Sequence, residues 1–574
     1  MGDLARGHLL DDLLEGDRRV RVAADGAEHV PHVGAHEVRR GHAPAHLVVP
    51  ADARLRARMA LERGTQIPLE SPHIVPLNAE AERVHDPDQL LRIRVAGPGR
   101  GQKRLHCLLV PPSLHQITRL FDIGDSRRGE SESKGKRAQH GILRGFAALC
   151  LALRLTTTAS AEPIAPEDFL PVDAAQARIG QLLFYDPLLS GNRNISCGTC
   201  HHHDHAGTDG LPLGSGEGGI GLGPERLAGD IIKRVPRNAP ALFNLGHRSI
   251  DVLFHDGRLS VDDAFGNGFN SPAEEWLPKG LNDIVAAQAL FPLTSAAEMA
   301  GQPEENEIGG ARNDRLDNVW PIVAKRVRIV PEYGAMFVEA FDHIDTPEQV
   351  TIVEIANALS AFIRGEWESH DSPYDAWLAG RPLPAMAEAG RQLFFGKAGC
   401  AECHSGPLFT DQRFHALALP HFGPGRTRMF DPYVRDVGRM AESDRLEDAY
   451  RFRTPSLRNV ALTAPYGHNG AYRTLAEMIR HLLDPQASFD AWTPERVDLP
   501  DVPALAKVDF IAFQDRRERA RLRDRVDLEP QTLTDGEILE LEAFLKALTG
   551  TQSVKGRLGR PDHVPSGLSV EGAE

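Results

Sequence analysis

Residues 195–205 (ISCGTCHHHDH) place two cysteines and four histidines within eleven positions. Such a cluster fits three kinds of chemistry: a metal site, a thiol redox pair, or the attachment point of a haem. The distinguishing residue is His201, which directly follows Cys200. A Cys-x-x-Cys-His run lets the thiols of Cys197 and Cys200 bond to the haem vinyl groups while the adjacent imidazole reaches the iron from one side. The pattern therefore predicts a covalently attached haem, with His201 as an iron ligand.

The same pattern occurs a second time, at Cys400, Cys403 and His404. In both regions a glycine upstream of the cysteines is followed by an aromatic residue four positions later. This spacing is typical of the first helix of a cytochrome c fold, where glycine permits a close helix crossing and the aromatic ring packs near the porphyrin. A duplicated pattern is a strong signal, and it predicts two haem c groups. The glycine–aromatic pairs are Gly180 with Phe184 and Gly390 with Phe394.

Residues 134–161 have the layout of a secretory signal peptide, with basic residues, an apolar run at 146–155, and Ala-Ser-Ala at 159–161 as the cleavage site. The apolar run is too short to span a membrane. We therefore expect a mature protein that begins near Glu162 and is periplasmic, because covalent haem attachment normally occurs outside the cytoplasmic membrane.

Residues 1–133 precede this signal and lack a clear hydrophobic periodicity. A genuine extra domain is one interpretation, and a start site placed too far upstream is the one we favour. No methionine lies between Met59 and Met299, so a start near residue 134 requires a non-ATG codon. We expect the segment to be absent from the mature protein and leave it out of the fold prediction.

The chain has 574 residues, a net charge of −15 and six cysteines, four of which belong to the haem motifs. A chain of this length and composition is globular and forms several domains. Its negative charge favours a small electron donor with a basic face and gives no reason to expect a nucleic-acid partner. No segment is long and apolar enough for a membrane-spanning helix.

The mature chain is predicted to be mostly α-helical, with two cytochrome c-like domains, long connecting loops, and the haems near the domain interface. Apolar spacing and capping residues predict helices over 345–366 and 534–550. The polar, proline-bearing stretch at 370–382 is typical of a linker. The predicted parts are an N-terminal haem domain at 162–375, a C-terminal haem domain at 376–552 and a flexible tail at 553–574.

Four further segments carry a family resemblance: PRNAPALFNLG (236–246), FHDGRLS (254–260), LFPLTSAAEM (290–299) and FRTPSLRNVALTAPYGHNGAYRTL (452–475). With the haem motifs, they resemble the bacterial dihaem cytochrome c peroxidases, a family that includes the MauG enzymes. The similarity covers nearly all of residues 165–550. It implies an exported enzyme that reduces hydrogen peroxide to water with electrons from a small redox protein such as a cytochrome c or cupredoxin. In such enzymes the N-terminal haem is the peroxide site and the C-terminal haem stores and relays an electron.

The resemblance also assigns roles to individual residues. His201 and His404 are the implied proximal iron ligands, and the four motif cysteines the thioether positions. Glu298 matches the distal carboxylate, which takes a proton from peroxide and returns it to the leaving oxygen. Gln288 and Pro292 precede it at the family spacing. Taken alone, Glu298 is more often an ordinary surface carboxylate.

A calcium ion between the haems is also implied by the resemblance. Its protein ligands match the side chain of Asn238 and the backbone carbonyls of Thr463 and Pro465, which are hard oxygen donors that suit Ca²⁺. The alternative is that Asn238 only caps a turn. His468 matches a family histidine that lies near the haems without binding iron.

Three departures from the family pattern concern the haem surroundings. The stretch at 209–223 has no histidine to close the first haem, only Glu217, so that haem is expected to be open or weakly ligated. His255 replaces a tryptophan that bridges the haems. The distal ligand of the second haem, methionine or tyrosine in relatives, falls at Leu482. The three histidines after His201 are expected to be solvated or to act as caps; they are His202, His203 and His205.

His481 is the favoured distal ligand of the second haem, because it is one residue away from Leu482, and Met478 is the alternative. The competing interpretation makes His481 a helix-surface residue. Two other functions remain open: a MauG-like oxidase that modifies a partner protein, and a non-enzymatic dihaem electron carrier. Members of the family are often homodimers, although no residue pattern here indicates a dimer interface.

Overall fold

The structure, a computed structural model, describes residues 163–426 and 435–572 and two short strands at 90–94 and 104–108. The chain divides into two compact units, residues 1–133 and 134–574. In the first, β1 (Leu90–Arg94) and β2 (Arg104–Leu108) pair antiparallel. The predicted signal peptide, the expected start near Glu162 and most of residues 1–133 lie outside the described residues.

The second unit is mostly helical, as predicted, and its strands are short. None of its described helices is long and apolar enough to cross a membrane. The strands are β3 (Val252–Leu253), β4 (Leu259–Val261), β5 (Phe269–Asn270), β6 (Phe414–Ala416) and β7 (Arg451–Arg453), in the antiparallel orders β3-β4-β5 and β6-β7. The helices are α1 (Ala174–Phe184), α2 (Cys197–Cys200), α3 (Ile284–Ala289), α4 (Glu307–Asp314), α5 (Val319–Arg328), α6 (Pro331–Ala340), α7 (Ile352–Glu366), α8 (Pro373–Leu378), α9 (Ala385–Phe395), α10 (Met440–Ser443), α11 (Leu475–Leu483), α12 (Pro485–Ala491), α13 (Pro503–Ala506), α14 (Ile511–Gln514), α15 (Arg516–Asp524), α16 (Asp535–Lys546) and α17 (Gln552–Lys555).

Both helices predicted from apolar spacing are present, with later starts. Residues 347–349 form a separate 3₁₀ turn, and α7 begins after Thr351, whose side chain caps the helix together with Glu354. Thr534 and Glu537 form the same capping box at the start of α16. A capping box satisfies main-chain N–H groups that have no partner within the helix, which is why both helices begin at these threonines.

The predicted glycine crossings are confirmed in both halves. A Cβ atom added at Gly180 of α1 would overlap the main-chain oxygen of Ala358 in α7. A Cβ atom at Gly390 of α9 would likewise overlap the main-chain oxygen of Glu540 in α16. Only glycine lets the two backbones approach this closely.

The aromatic residue after each glycine packs on the opposite helix. Phe184 lies against Phe362 with ring centroids 5.2 Å apart, and Phe394 lies against Phe544, also at 5.2 Å. The two crossings therefore have the same construction.

Two separate groups of buried apolar side chains surround these crossings. The first consists mainly of residues between Ile179 and Trp367, and the second mainly of residues between Tyr374 and Leu548. The predicted linker at 370–382 needs correction, because α8 lies within it and Tyr374 is buried in the second core. The change from one core to the other falls between Trp367 and Tyr374.

The tail predicted to be flexible is packed against the first core. Val564 and Val570 are buried there. The side chain of Gln181 in α1 donates hydrogen bonds to the carbonyls of Leu558 and Gly559, at 2.8 and 2.7 Å. We call residues 556–572 the C-terminal strap. Sequence composition did not reveal it because its anchoring residues are few and widely spaced.

Candidate haem and peroxide sites

The first haem motif forms a short helix that ends at its histidine. Cys197 and Cys200 are the terminal residues of α2, and both thiols are free. The Nδ1 atom of His201 lies 2.9 Å from the carbonyl oxygen of Gly207, which leaves Nε2 as the nitrogen for iron. Burial raises the pKa of the Cys197 thiol to about 12. A partly buried pair of free thiols beside an oriented imidazole fits a covalently bound haem.

The second haem motif repeats this arrangement. Cys400 and Cys403 flank a 3₁₀ turn, and Nδ1 of His404 lies 2.9 Å from the carbonyl oxygen of Phe409. Cys403 also lies near Asp411 and His415, whose carboxylate and imidazole are 3.0 Å apart. Because the sulfur of Cys403 belongs to the haem motif, this cluster is not a separate metal site.

The three predicted distal residues lie on one continuous segment. Gln288 is near the end of α3, Pro292 begins a 3₁₀ turn, and Glu298 occupies a π-helical turn at residues 296–300. All three side chains are partly buried. Glu298 contributes to the electrostatic field at the Cys200 sulfur, where burial is the main cause of a raised pKa. Glu298 is therefore close enough to the first haem motif to interact with it electrostatically.

The loop at 209–223 packs directly on the Glu298 turn. The main-chain N–H of Glu217 donates to the carbonyl of Ala297 at 3.1 Å. One carboxylate oxygen of Glu217 accepts hydrogen bonds from the amides of Asn192 and Asn194, at 2.9 and 2.7 Å. These two amides hold Glu217 in place, so its carboxylate helps fix the turn that carries Glu298.

Comparison with known proteins decides the family. The family model "Di-haem cytochrome c peroxidase" matches residues 174–382. Methylamine utilization protein MauG of Methylorubrum extorquens is 30% identical over 328 residues, covering 56% of this chain and 73% of that protein. The chain belongs to the di-haem cytochrome c peroxidase family. Cytochrome c551 peroxidase of Pseudomonas aeruginosa is 29% identical over 314 residues, covering 54% of this chain and 72% of that protein.

Solved structures of related proteins were also matched. One is a MauG-like protein associated with microbial copper homeostasis, with 27% identity, a TM-score of 0.43, and coverage of 69% of this chain and 94% of that chain. Another is the diheme peroxidase BthA from Burkholderia thailandensis, with 23% identity, a TM-score of 0.43, and coverage of 68% and 90%. Family membership makes this di-haem peroxidase an oxidoreductase with two haem c groups.

The histidines that follow His201 in this di-haem peroxidase have different surroundings. His202 caps a 3₁₀ turn, with Nδ1 accepting from the N–H of Asp204 at 3.2 Å, as predicted. His203 is not solvated. Its side chain is only 9% exposed and lies between Tyr185 and Glu366.

A buried ion-pair network joins the two haem-binding halves. The guanidinium of Arg237 donates two hydrogen bonds to Asp436, at 2.7 and 2.8 Å, and lies 2.7 Å from Asp256. Burial alone would raise the pKa of Asp256, but Arg237 and the neighbouring arginines hold it well below its usual range. Both carboxylates therefore stay ionised, and removing Arg237 would leave them buried without their main partner.

His255 and His468 lie beside this network. Nε2 of His255 is 3.2 Å from the carbonyl oxygen of Asn238, and the N–H of Arg453 donates to the His255 carbonyl at 2.8 Å. Burial lowers the pKa of His255 to about 4, so the ring is neutral near pH 7. His468 stacks on Phe452 with centroids 3.6 Å apart, and within the described part of the chain neither of its ring nitrogens has a hydrogen-bond partner.

The three predicted calcium ligands belong to one neighbourhood. Asn238 donates its side-chain N–H to the carbonyl of Leu211 at 2.7 Å and its main-chain N–H to the carbonyl of His468 at 2.9 Å. Gly470 contacts both the Leu211–Pro212 loop and Pro465. Among the described residues, no main-chain hydrogen bond ends on the carbonyl oxygen of Thr463 or of Pro465, and the Asn238 side chain uses its N–H group as a donor. Carbonyl and amide oxygens are ligands of the type that Ca²⁺ takes.

The expected distal ligand of the second haem does not have a free nitrogen. His481 is fully buried; Nδ1 lies 2.8 Å from the hydroxyl of Tyr472, and Nε2 lies 2.8 Å from the carbonyl oxygen of Leu417. This arrangement does not support iron binding by His481, and burial also rules out the helix-surface alternative. Met478 packs against the second core, and Leu482 is partly buried.

The group formed by Tyr185, His203 and Glu366 was not predicted from the sequence. The signal was present in the repeat: Tyr185 and Phe395 each lie five residues after the crossing glycine, so a phenol in the first half corresponds to a phenyl ring in the second. Glu366 is 181 positions after Tyr185, and no local pattern connects the two residues.

Proposed function

We propose that the protein is an exported dihaem peroxidase that reduces hydrogen peroxide to water with electrons from a small redox carrier. Each hydrophobic core would form the interior of one cytochrome c-like domain, and the A-x-A signal would direct the chain to the periplasm. The observation that carries the proposal is Glu298, on a π-helical turn that is hydrogen-bonded to the 209–223 loop and interacts electrostatically with Cys200 of the first haem motif.

Peroxide reduction needs a proton acceptor that becomes a proton donor within one turnover. When bound at His201, the first haem supplies the iron that receives peroxide, and the second, at His404, supplies an electron. Glu298 takes the proton from the near oxygen of peroxide and delivers it to the far oxygen, which leaves as water. The near oxygen leaves as a second water once the redox carrier has supplied two electrons in all and the solvent has supplied two protons. Gln288 and Pro292 shape the same wall and keep the substrate within reach of the carboxylate.

Arg258 supplies positive charge on this side. Its guanidinium lies 3.4 Å over the ring of Phe254 and 3.0 Å from Asp256, and it interacts electrostatically with Glu298. Burial lowers the pKa of Arg258 to about 10, so the group is still a cation at neutral pH. Its positive charge attracts the carboxylate of Glu298, which acts as the proton acceptor in this proposal.

Calcium would hold the halves together. Asn238 belongs to the first haem domain, and Thr463 and Pro465 belong to the second, so one ion bound to all three joins the domains.

The iron of the second haem would have two ligands from this chain. His404 is its proximal ligand in this proposal, and Met478 is the distal candidate that is left after His481.

The test is peroxide-dependent oxidation of a reduced cytochrome c or cupredoxin by the purified dihaem protein. Glu298→Gln should lower the turnover number by about 10²- to 10⁴-fold, the range typical of lost general acid–base catalysis. Glu339→Gln, on the exposed side of α6, is the matched control and should leave turnover unchanged.

Two outcomes would redirect the proposal. Peroxide consumption without donor oxidation would favour the oxidase that modifies a partner protein. The 30% identity to MauG is the observation that suggests this alternative. Full redox cycling with the donor but no peroxide consumption, unaffected by Glu298→Gln, would instead indicate an electron carrier.

A further inference from the structure

A hydrogen-bonded chain of three buried side chains lies beside the first haem motif. The hydroxyl of Tyr185 is hydrogen-bonded to Nδ1 of His203, and Nε2 of His203 lies 2.6 Å from a carboxylate oxygen of Glu366. Tyr185 and Glu366 are each 1% exposed. The di-haem peroxidase chemistry derived above uses none of these residues.

The hydrogen-bond partners of Glu366 indicate which atom is the donor in each hydrogen bond of this group. Besides His203, its carboxylate accepts the main-chain N–H groups of Arg557, Leu558 and Gly559, at 2.9, 2.8 and 2.8 Å. The three main-chain partners are all donors, so the carboxylate of Glu366 is an acceptor, and Nε2 of His203 is placed to donate to it. The tautomer with its hydrogen on Nε2 has Nδ1 free to accept the O–H of Tyr185. The three groups form a phenol, base and carboxylate in series.

The Tyr185–His203–Glu366 group reaches both places where the first haem would be held: the cysteine pair, and the carbonyl that orients His201. The ring of Tyr185 lies on Gly198, between the two haem cysteines, and a Cβ atom at Gly198 would overlap it. Trp367 lies against Gly207, whose carbonyl orients His201. His203 stacks on Trp367 with centroids 4.9 Å apart, so the group is connected through Trp367 to Gly207.

The C-terminal strap closes the group off from solvent. Gly556 lies against both His203 and Glu366, and the N–H groups that follow it cap the carboxylate. Thr199, within the haem motif, is hydrogen-bonded to Glu571 near the other end of the strap. With water excluded, the hydrogen-bond partner of the Tyr185 hydroxyl among the described residues is His203.

A phenol gives up an electron readily only when its proton leaves at the same time, because the phenol cation is a very strong acid. A buried tyrosine therefore needs a hydrogen-bonded base that can take the proton without moving far. His203 meets this requirement, and the carboxylate of Glu366 stabilises the imidazolium that forms. Phe395, the counterpart of Tyr185 in the second half, has no ionisable proton.

We propose that Tyr185 is a redox-active tyrosine that supplies one electron to the first haem when peroxide has oxidised it and no carrier has yet delivered an electron. The proposal rests on the peroxidase function proposed above. In the forward step Tyr185 loses one electron to the haem, its O–H bond breaks, and the proton moves to Nδ1 of His203. In the return step an electron from the carrier, by way of the second haem, and the proton from His203 restore the phenol.

The test is rapid freeze-quench paramagnetic resonance of the diferric dihaem protein mixed with hydrogen peroxide in the absence of a donor. The wild type should show a tyrosyl radical whose signal narrows when the protein contains ring-deuterated tyrosine. Tyr185→Phe should lose that signal. Tyr333→Phe is the matched control, since Tyr333 is equally buried in the same core but donates its hydroxyl to Asp186 at 2.8 Å instead of to an imidazole. It should keep the signal.

His203→Gln separates proton acceptance from simple packing, because glutamine accepts a hydrogen bond but is not a base. We expect a reduced radical yield with an unchanged haem absorption spectrum. A full tyrosyl signal in Tyr185→Phe would overturn the proposal. So would a wild type whose haem spectrum responds to peroxide without any tyrosyl radical, and that result would leave the peroxidase function standing.

If the haem spectrum does not respond to peroxide at all, the proposed peroxidase function fails instead. A photogenerated ruthenium(III) oxidant then replaces peroxide. A tyrosyl radical that is present in the wild type and in Tyr333→Phe but absent in Tyr185→Phe would support the redox-active tyrosine. Equal signals in all three proteins, or none in the wild type, would contradict it.

Discussion

The two haem-binding halves share a scaffold and differ in what surrounds it. In each, a glycine lets two helices cross closely, an aromatic residue packs on the opposite helix at 5.2 Å, and the motif histidine lies 2.9 Å from a main-chain carbonyl. The first half adds the turn that carries Glu298, a strap from the C-terminus, and a tyrosine bonded to an imidazole that is in turn bonded to a carboxylate. The tyrosine–imidazole pair of the second half, Tyr472 and His481, ends on a main-chain carbonyl instead. We propose that the repeated scaffold attaches haem and that the additions set the reactivity of the first half.

The largest effect is expected from the shared scaffold. Gly180→Ala or Gly390→Ala would force two helix backbones apart, since the added Cβ meets a main-chain oxygen that cannot turn away. We expect at least about 3 kcal/mol of destabilisation and loss of one haem in the affected half. Haem content per chain measures this.

Gly310→Ala in α4 and Gly536→Ala in α16 are the controls, because a Cβ there lies 3.5 and 3.9 Å from its nearest neighbour. Both should keep two haems. Equal haem loss in the controls, or none in the crossing variants, would show that the crossings do not determine haem attachment.

Removing the strap should affect one half only. Deleting residues 556–574 takes Val564 and Val570 out of the first core and removes three donors from Glu366. At about 1.5–3 kcal/mol for each buried valine, roughly 3–6 kcal/mol of stability is lost. Hydrogen exchange should become faster at residues 197–207 and stay unchanged at 400–409.

Val564→Ala and Val570→Ala test the same idea with single changes, and Val554→Ala, at a residue that is 39% exposed, is their control. Faster exchange in both haem motifs would mean that the strap stabilises the whole unit instead of the first half.

Calcium bound between the two haem-binding halves is expected to increase the rate of donor oxidation. Exhaustive chelation, or Asn238→Ala, is expected to lower donor oxidation by at least about tenfold, since the ion would position the two domains for electron transfer. Readdition of Ca²⁺ should restore the chelated wild type and leave Asn238→Ala low. Asn313→Ala, on the exposed side of α4, is the control. Unchanged activity and haem spectra after chelation would remove calcium from the account.

A smaller effect is expected on the free energy of unfolding at acidic pH. Burial lowers the pKa of His255 and His481 to about 4, below the value of about 6.5 in an unfolded chain. The unfolded state therefore binds more protons in this window, and stability falls as the pH drops from about 6.5 to about 4. Each histidine contributes a slope of up to about 1.4 kcal/mol per pH unit.

His481→Gln should flatten the pH dependence of the unfolding free energy, measured by denaturant titration between pH 7 and 4.5. The exposed His563→Gln should leave the slope unchanged. A slope in His481→Gln equal to that of the wild type would show that this buried ring does not resist protonation.

The sequence predicted what depends on short spacings. The Cys-x-x-Cys-His motifs and the glycine–aromatic pairs are local, so the two attachment sites and both helix crossings followed from them. The turn around Glu298 was predicted as a candidate from its neighbours in the chain, and its contact with Glu217 appeared only in three dimensions.

What the sequence did not predict depends on distant pairs. The hydrogen bonds of His481 come from Tyr472 and Leu417, and the latter lies 64 positions away. The strap bonds to α1 across 377 positions. Local composition contains no information about such partners, so the polar tail was assigned as flexible and His481 was assigned to iron.

The most direct test of the central claim is stopped-flow mixing of the fully oxidised protein with hydrogen peroxide, followed through the haem absorption bands. The 209–223 loop packs on the Glu298 turn, carries Glu217 held by two asparagines, and contains no histidine. We predict that the diferric wild type reacts at once, without prior reduction, and that Glu298→Gln reacts about 10²- to 10⁴-fold more slowly. A wild type that stays inert until one haem is reduced, or a Glu298→Gln variant as fast as the wild type, would contradict it.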